Sequence, residues 1–309
     1  MADFIGENIQ SLPPAVIKIL LSDKTTKRNI IWATDNYAER GYLATDEIQL
    51  KQISGFTNGV IKSRVSKATE EQARRTRVKA EVFTPSWICN KMNNHCDEVW
   101  VGKKNVFNIE DGQKWRLNPN KVKFPEGRSG QEYIDSRRIE ITCGEAPYIV
   151  SRYDTTTGEA ISLKRRIGIL DRKLRIVNEN AEDDNTWLKW TTRAFQSVYG
   201  YEFQGDNLFI ARINAIMTYI EYYENRFNEK PNEKKLKEIA NIIAWNFWQM
   251  DGITNTIPFG APKVQEEQLD MFAVIANPEE KTIKKTPVCK IYDWRKDNSL
   301  LFTSLKKRN

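Results

Sequence analysis

With 309 residues, 40% hydrophobic and 29% charged side chains and nine tryptophans, the chain can bury the core of one large domain or two modest ones, which excludes a disordered or fibrous protein. No run of about 18 apolar residues is present, and the opening "MADFIGENIQ" carries Asp3 and Glu7 where a signal would be basic, so no membrane span or secretory signal is expected and a cytoplasmic location is. The net charge of +7 favours a polyanionic partner.

Residues 1–77 read as a mostly helical N-terminal segment, and 78–309 as the unit that follows. In "SLPPAVIKILLS", Pro13-Pro14 opens an amphipathic turn or two carrying Val16, Ile17, Leu20 and Leu21. "TTKRNIIWATDNYAERGY" is expected to form a second helix closing at Gly41. The stretch 62–79 gathers Lys62, Arg64, Lys67, Arg74, Arg75, Arg77 and Lys79 against few acids. Two readings stand for it, a solvated helix face and a DNA-binding surface in which Arg74, Arg75 and Arg77 meet phosphates.

From Glu81 to about Gly130 the chain reads as loops and short pieces, with "EVFTPSWICNKMNNHCDEVW" the most organised part. "RRIEITCGEAP" (137–147) then reads as a short β-branched strand ending at Cys143-Gly144. Ile167, Leu170, Leu174 and Val177 recur at helical spacing, and Trp187, Trp190 and Phe195 mark a further helix. Tyr199 to Phe203 reads as a strand ending in the acid Glu202, followed by an apolar helix through Leu208, Ile213 and Ile220. Pro231 opens another helix, "WNFWQM" a buried strand before Asp251, and "VCKIYDW" a last strand after a loop-like stretch from Ile253 to Pro287. Strands alternating with helices predict an α/β protein whose largely parallel sheet carries helices on both faces.

In such a sheet ligands sit beyond the C-terminal strand ends, where a turn of small residues lets the backbone approach them and the next strand's carboxylate can accept ribose hydroxyls. Gly144 supplies the turn, Glu202 the acid, and Asp251 a further carboxylate placed to receive an exocyclic amine of adenine. Cys89, Cys96, Cys143 and Cys289 form no Cys-x-x-Cys pair and His95 is the only histidine, so free thiols are expected and no metal site.

At these residues the sequence resembles the gamma-type DNA adenine methyltransferases of type II restriction-modification systems, over about residues 78–305. Val82-Phe83-Thr84-Pro85 is similar to their "FTP" segment, "IEITCGEAPY" to their strand-turn LEPACGSGAF, "VYGYE" to their acidic strand end, and "WNFWQMDG" to their later GDAL, with Asp251 in the acid's place. The resemblance implies a Rossmann-like class I methyltransferase sheet and S-adenosyl-L-methionine as cofactor. It further implies that Phe83, Thr84 and Pro85 close over the methionine part, that Glu140, Cys143 and Gly144 line the turn, that Glu202 holds the ribose and that Asp251 meets the adenine.

The sequence departs from that pattern at Ala146-Pro147, where the family has a second glycine and a small residue. It also lacks the family's Asn-Pro-Pro-Tyr tetrad, since Asn118-Pro119 and Asn277-Pro278 continue as "NPNK" and "NPEE" and Pro13-Pro14 is not preceded by asparagine. The expectation is therefore an incomplete sheet, the cofactor-side half of an enzyme acting on double-stranded DNA. Its catalytic tetrad and target readout would come from a second subunit, with a homo-oligomer as the other arrangement. The alternatives are a degenerate methyltransferase-fold module that binds or senses DNA in a restriction or phage-defence system, and a restriction nuclease using Asp171-Arg172-Lys173 or Glu229-Lys230. Three local features each leave two readings: "SRYD" (151–154) as substitute active site or capped loop, Trp245 and Trp248 as base-stacking or core, and Cys143 as nucleophile or small buried thiol.

Overall fold

A computed structural model describes residues 4–54, 59–67, 69–79, 83–259 and 286–308. The Asn277-Pro278 pair, most of the stretch expected to be loop-like, and the side chain of Arg74 lie outside what is described. In chain order the elements are α1 (Phe4–Ser11), α2 (Pro14–Leu21), α3 (Leu50–Ile53), α4 (Thr69–Lys79), α5 (Ser86–Val101), β1 (Asn108–Asp111), β2 (Lys114–Leu117), α6 (Gly130–Asp135) and β3 (Arg138–Glu140). They continue with α7 (Ile169–Asn180), α8 (Asp184–Gln196), β4 (Val198–Glu202), α9 (Gly205–Phe227), α10 (Glu233–Asn246), β5 (Phe247–Gln249), β6 (Lys290–Asp293) and β7 (Asn298–Leu301). Among the described residues no helix is long and apolar enough to cross a membrane.

The protein is α/β, and its centre is a parallel sheet of order β3-β4-β5 with Arg138 opposite Val198 and Gly200 opposite Phe247. Every residue of β4 and β5 is buried, as in parallel strands covered on both faces. Alternation along the strands divides the side chains between two faces. Val198 and Phe247 face the main core, which they share with α8, α9 and α10. Tyr199, Tyr201 and Trp248 face the other way, under Ile291 of the antiparallel β6–β7 hairpin and Phe302 just beyond it. Helices thus cover one face and a hairpin the other, where the sequence pattern predicts helices on both.

Residues 4–54 contribute Ile5, Val16, Leu20, Trp32, Ile48 and Ile53 to the same core as α9 and α10. The segment expected as a second helix after α2 is instead extended, with bridges Ser22 to Asn29 and Ile31 to Glu47, and only Ala38–Arg40 winds into a 3-10 turn before Gly41. Ile30 and Trp32 are buried on one side while Ile31 is half exposed, a period of two that suits β-branched residues. Ala33 at φ +50° then breaks any helical continuation.

The second difference is α5, sixteen residues long where loops are expected. It buries Asn90, Asn93 and Asp97, each satisfied by a side-chain or carbonyl partner. An apolar stripe never appears in its sequence because its inward stripe is polar.

Candidate functional site

Three parallel strands pointing the same way bring their C-terminal ends together, and the turn after β3 closes onto the end of β4. Cys143 N–H donates to the Tyr201 carbonyl at 2.8 Å and Gly144 N–H to Glu202 Oε2 at 2.9 Å, while Gln204 N–H reaches Glu202 Oε1 at 3.1 Å. The carboxylate therefore ties the turn to the strand end through charge-assisted bonds. Burial raises the Glu202 carboxyl above its usual range, against the opposing pull of those amides.

Gly144 sits at φ +54°, a conformation that glycine adopts without a Cβ penalty. A Cβ there would lie 3.7 Å from the Phe83 ring, so the ring covers the glycine at contact distance. The guanidinium of Arg64 lies over that ring, 4.9 Å from its centroid. Phe83 and Gly144, 61 positions apart in the sequence, thus meet at the turn. Thr84 and Pro85 hold this segment in place: the Thr84 carbonyl accepts from Thr155 Oγ1 at 3.2 Å, and Pro85 is the residue before α5.

Glu140, the last residue of β3, turns its side chain toward the same turn. Oε1 accepts a long bond from Tyr148 N–H at 3.4 Å, and Oε2 is buried with no hydrogen-bond partner. Burial pushes this carboxyl well above the usual range, and the neighbouring Glu202 charge adds to the effect. A buried carboxyl oxygen without a full hydrogen bond is costly, and the amides that face this carboxyl are those of Tyr148 and Ile149.

The turn interior is filled by its own residues. Glu145 is buried and accepts from Arg64 N–H at 2.7 Å and from the Tyr153 hydroxyl at 2.5 Å. Thr142 (φ +48°) and Ala146 (φ +63°) both adopt left-handed backbone, an unfavourable state for residues with a Cβ. The next helix, α7, does not follow the turn directly but begins after Gly168, where a Cβ would come within 2.4 Å of the Ile149 carbonyl. Only glycine allows the helix start to pack so closely on the turn.

Asp251 lies two residues beyond the end of β5. Its Oδ1 accepts from Ile253 and Thr254 amides at 2.8 and 3.2 Å, which fixes its own loop. The residue ending the third strand is Gln249, whose side chain bonds Ile31 N–H and the Ile31 and Phe203 carbonyls. Gln249 thereby fastens the N-terminal segment to the strand ends, a role with no signal in a local motif.

Of the basic stretch, Arg77 and Lys62 are exposed. Arg75 and Lys67 are buried against Asp206, at 3.0 and 3.5 Å, with the Tyr37 hydroxyl on the same carboxylate oxygen at 2.8 Å. Arg75 also reaches Gln204 and Asn207, so its guanidinium clamps α4 to the start of α9 and faces the interior instead of a phosphate. The two cations hold the Asp206 carboxyl well below its usual range despite burial. Asp206 escapes sequence reading because an acid in a first helical turn looks like ordinary dipole complementation.

The remaining candidates have structural partners. In "SRYD", Ser151 Oγ serves the Ile167 and Gly168 amides, Arg152 pairs with Glu221 at 2.7 Å, and Asp154 accepts from Ser86 N–H at the start of α5. Burial raises the Cys143 thiol, and nearby carboxylates add to this, which leaves little thiolate for nucleophilic work. Trp248 packs against Tyr201 and Phe302, and Trp245 against Tyr292.

Asp171, Arg172 and Lys173 point to three different places, toward Ser151, Asp97 and the Ile134 carbonyl, so they do not share a metal. Among the described residues no group of three His, Cys, Asp or Glu is arranged to hold one. A cavity of about 850 Å³ between α6 and α8, lined by Asp135, Trp190 and Arg193 among others, includes none of the strand-end residues; its Asp135 carboxylate is paired with Arg193 and Arg295, and its Glu132 carboxylate accepts from Ser129. No protein-family model matches the chain, and no curated protein or solved structure matches it.

Proposed function

We propose that this chain is the S-adenosylmethionine-binding half of a restriction-modification DNA adenine methyltransferase, with a Rossmann-like sheet, and that a second subunit brings the catalytic motif and target readout. The observation that carries the reading is the Gly144 amide on the Glu202 carboxylate at adjacent parallel strand ends, with Phe83 over the glycine. Open α/β sheets bind nucleotides at this end. In this reading the lone pairs left on Glu202 accept the ribose hydroxyls, and the orphaned Glu140 Oε2 receives the cofactor's ammonium. Phe83 walls the methionine part, and Asp251, whose Oδ1 holds its loop, meets the adenine amine through Oδ2.

Methyl transfer to adenine requires the base to be extruded and its amine held, work assigned here to the partner's Asn-Pro-Pro-aromatic motif. The test is reconstitution with methyl-labelled cofactor and double-stranded DNA. Label is expected on adenine only when this chain is combined with an Asn-Pro-Pro-aromatic chain encoded beside it. Transfer by this chain alone, or an unlabelled product from the pair, defeats the proposal.

A second reading, a methyltransferase-fold module that binds DNA without transfer, draws on the internally bonded Glu145 and the strained Thr142 and Ala146 in the turn. It predicts salt-dependent DNA binding and no heat on adding cofactor.

A further inference from the structure

Among the described residues β3 is an edge of the parallel sheet, three residues long, and no described strand pairs with its outer side. Arg138 N–H donates inward to the Ser197 carbonyl. The alternation of the backbone therefore turns the Ile139 amide outward, and Ile141 follows in the turn after β3. Their side chains are 46% and 63% exposed, although Ile139 lies beside Tyr199 on the face that the hairpin covers over β4 and β5. The aromatic cluster under the hairpin thus ends in two exposed isoleucines, where one more strand would continue it.

Charge on the other face narrows the choice of occupant. Arg138 is half buried, its Nη2 is buried without a hydrogen-bond partner, and it makes no ion pair among the described residues. Lys173 is buried close by on the Ile134 carbonyl and Ser197 hydroxyl, and Arg137, exposed at the strand start, pairs with Asp293 at 3.8 Å. Arg138 is thus the cation at this end of β3 that no carboxylate meets among the described residues.

A second copy is a poor supplier. With Ile139 opposite Ile141 of a copy, Glu140 would face Glu140, and like charges across a strand pair are destabilising. With Ile139 opposite itself, Arg138 would face Glu140, but Glu140 cannot neutralise a copy's Arg138 because it is turned to Tyr148 of its own chain.

We infer that the open edge of β3 receives a parallel strand from a different polypeptide, one that places an acidic residue beside Arg138 and apolar residues beside Ile139 and Ile141. A parallel strand ends next to the Gly144 turn, so the inference deepens the partnered reading by naming the surface the partner uses. Its test needs no cofactor, so failure of strand binding and failure of cofactor binding are read separately.

The probe is a fluorescent eight-residue peptide containing Asp-Val-Ser-Val, compared by anisotropy with its reversed order and with a Lys-Val-Ser-Val version. The Asp-first peptide is expected to bind at least about tenfold more tightly than either. Arg138→Glu should reverse the preference in favour of the lysine peptide, which a merely structural arginine would not do. Ile139→Lys and Ile141→Lys, both at exposed positions, should abolish binding while leaving the circular dichroism spectrum unchanged. Equal binding of all three peptides, absence of binding at millimolar peptide, or a concentration-dependent dimer dissolved by Ile139→Lys would each overturn the inference.

Discussion

Glu140 carries a carboxylate that the fold destabilises and that the proposed cofactor would satisfy. Its folded-state value lies above the unfolded one, so its contribution to stability is complete below about pH 4 and is lost as pH rises through the raised value. Glu140→Gln is therefore expected to raise the thermal midpoint at neutral pH by roughly 2 °C or more and to flatten the loss of stability on the alkaline side, while weakening cofactor binding. A thermal scan series from pH 4 to 8 checks it, and an unchanged slope counts against the buried charge. Asp206 has the opposite sign: its value is depressed, so its contribution is present above about pH 4 and lost as pH falls further. Asp206→Asn strands Arg75 and Lys67 in the interior and should cost about 3–5 kcal/mol by urea denaturation. The sequence makes Gly144 and Glu202 legible because motif order places them after two successive strands, and Phe83 because it precedes them ahead of α5. It conceals the burial of Arg75, since nothing local says that a basic helix docks on an acid 131 residues later.

Among the elements, α2, α10 and β5 are joined by one buried side chain. Arg212 on α9 donates to the carbonyls of Leu20, Ser22, Ala244 and Phe247, and burial lowers it to about 10. Replacing Arg212 with methionine keeps much of the volume but leaves those carbonyls unpaired, at about 1–3 kcal/mol for each one that stays buried. A loss of at least about 3 kcal/mol in denaturant melts is expected, and a neutral effect would show that water replaces the guanidinium. The same contrast explains what was readable at this scale. The helices at 169–180, 184–196 and 205–227 announce themselves through apolar periodicity. By contrast, α5 hides behind asparagines that bond inward, and the extended stretch near Trp32 is set by pairing to distant residues such as Asp46.

For the whole molecule, the parallel order of the sheet follows from alternating strands and helices, but the hairpin over the aromatic face depends on residues some 90 positions away and is not visible in any local pattern. What the assembly achieves is the convergence of three strand ends around one carboxylate and one glycine turn, with Phe83 brought in from the segment before α5. Calorimetric titration of the purified chain with S-adenosylmethionine tests that claim most directly. The predicted result is one cofactor bound per chain, weakened at least about tenfold in Glu202→Ala through loss of charge-assisted bonds. No heat at high micromolar cofactor, or binding that Glu202→Ala leaves unchanged, would contradict it.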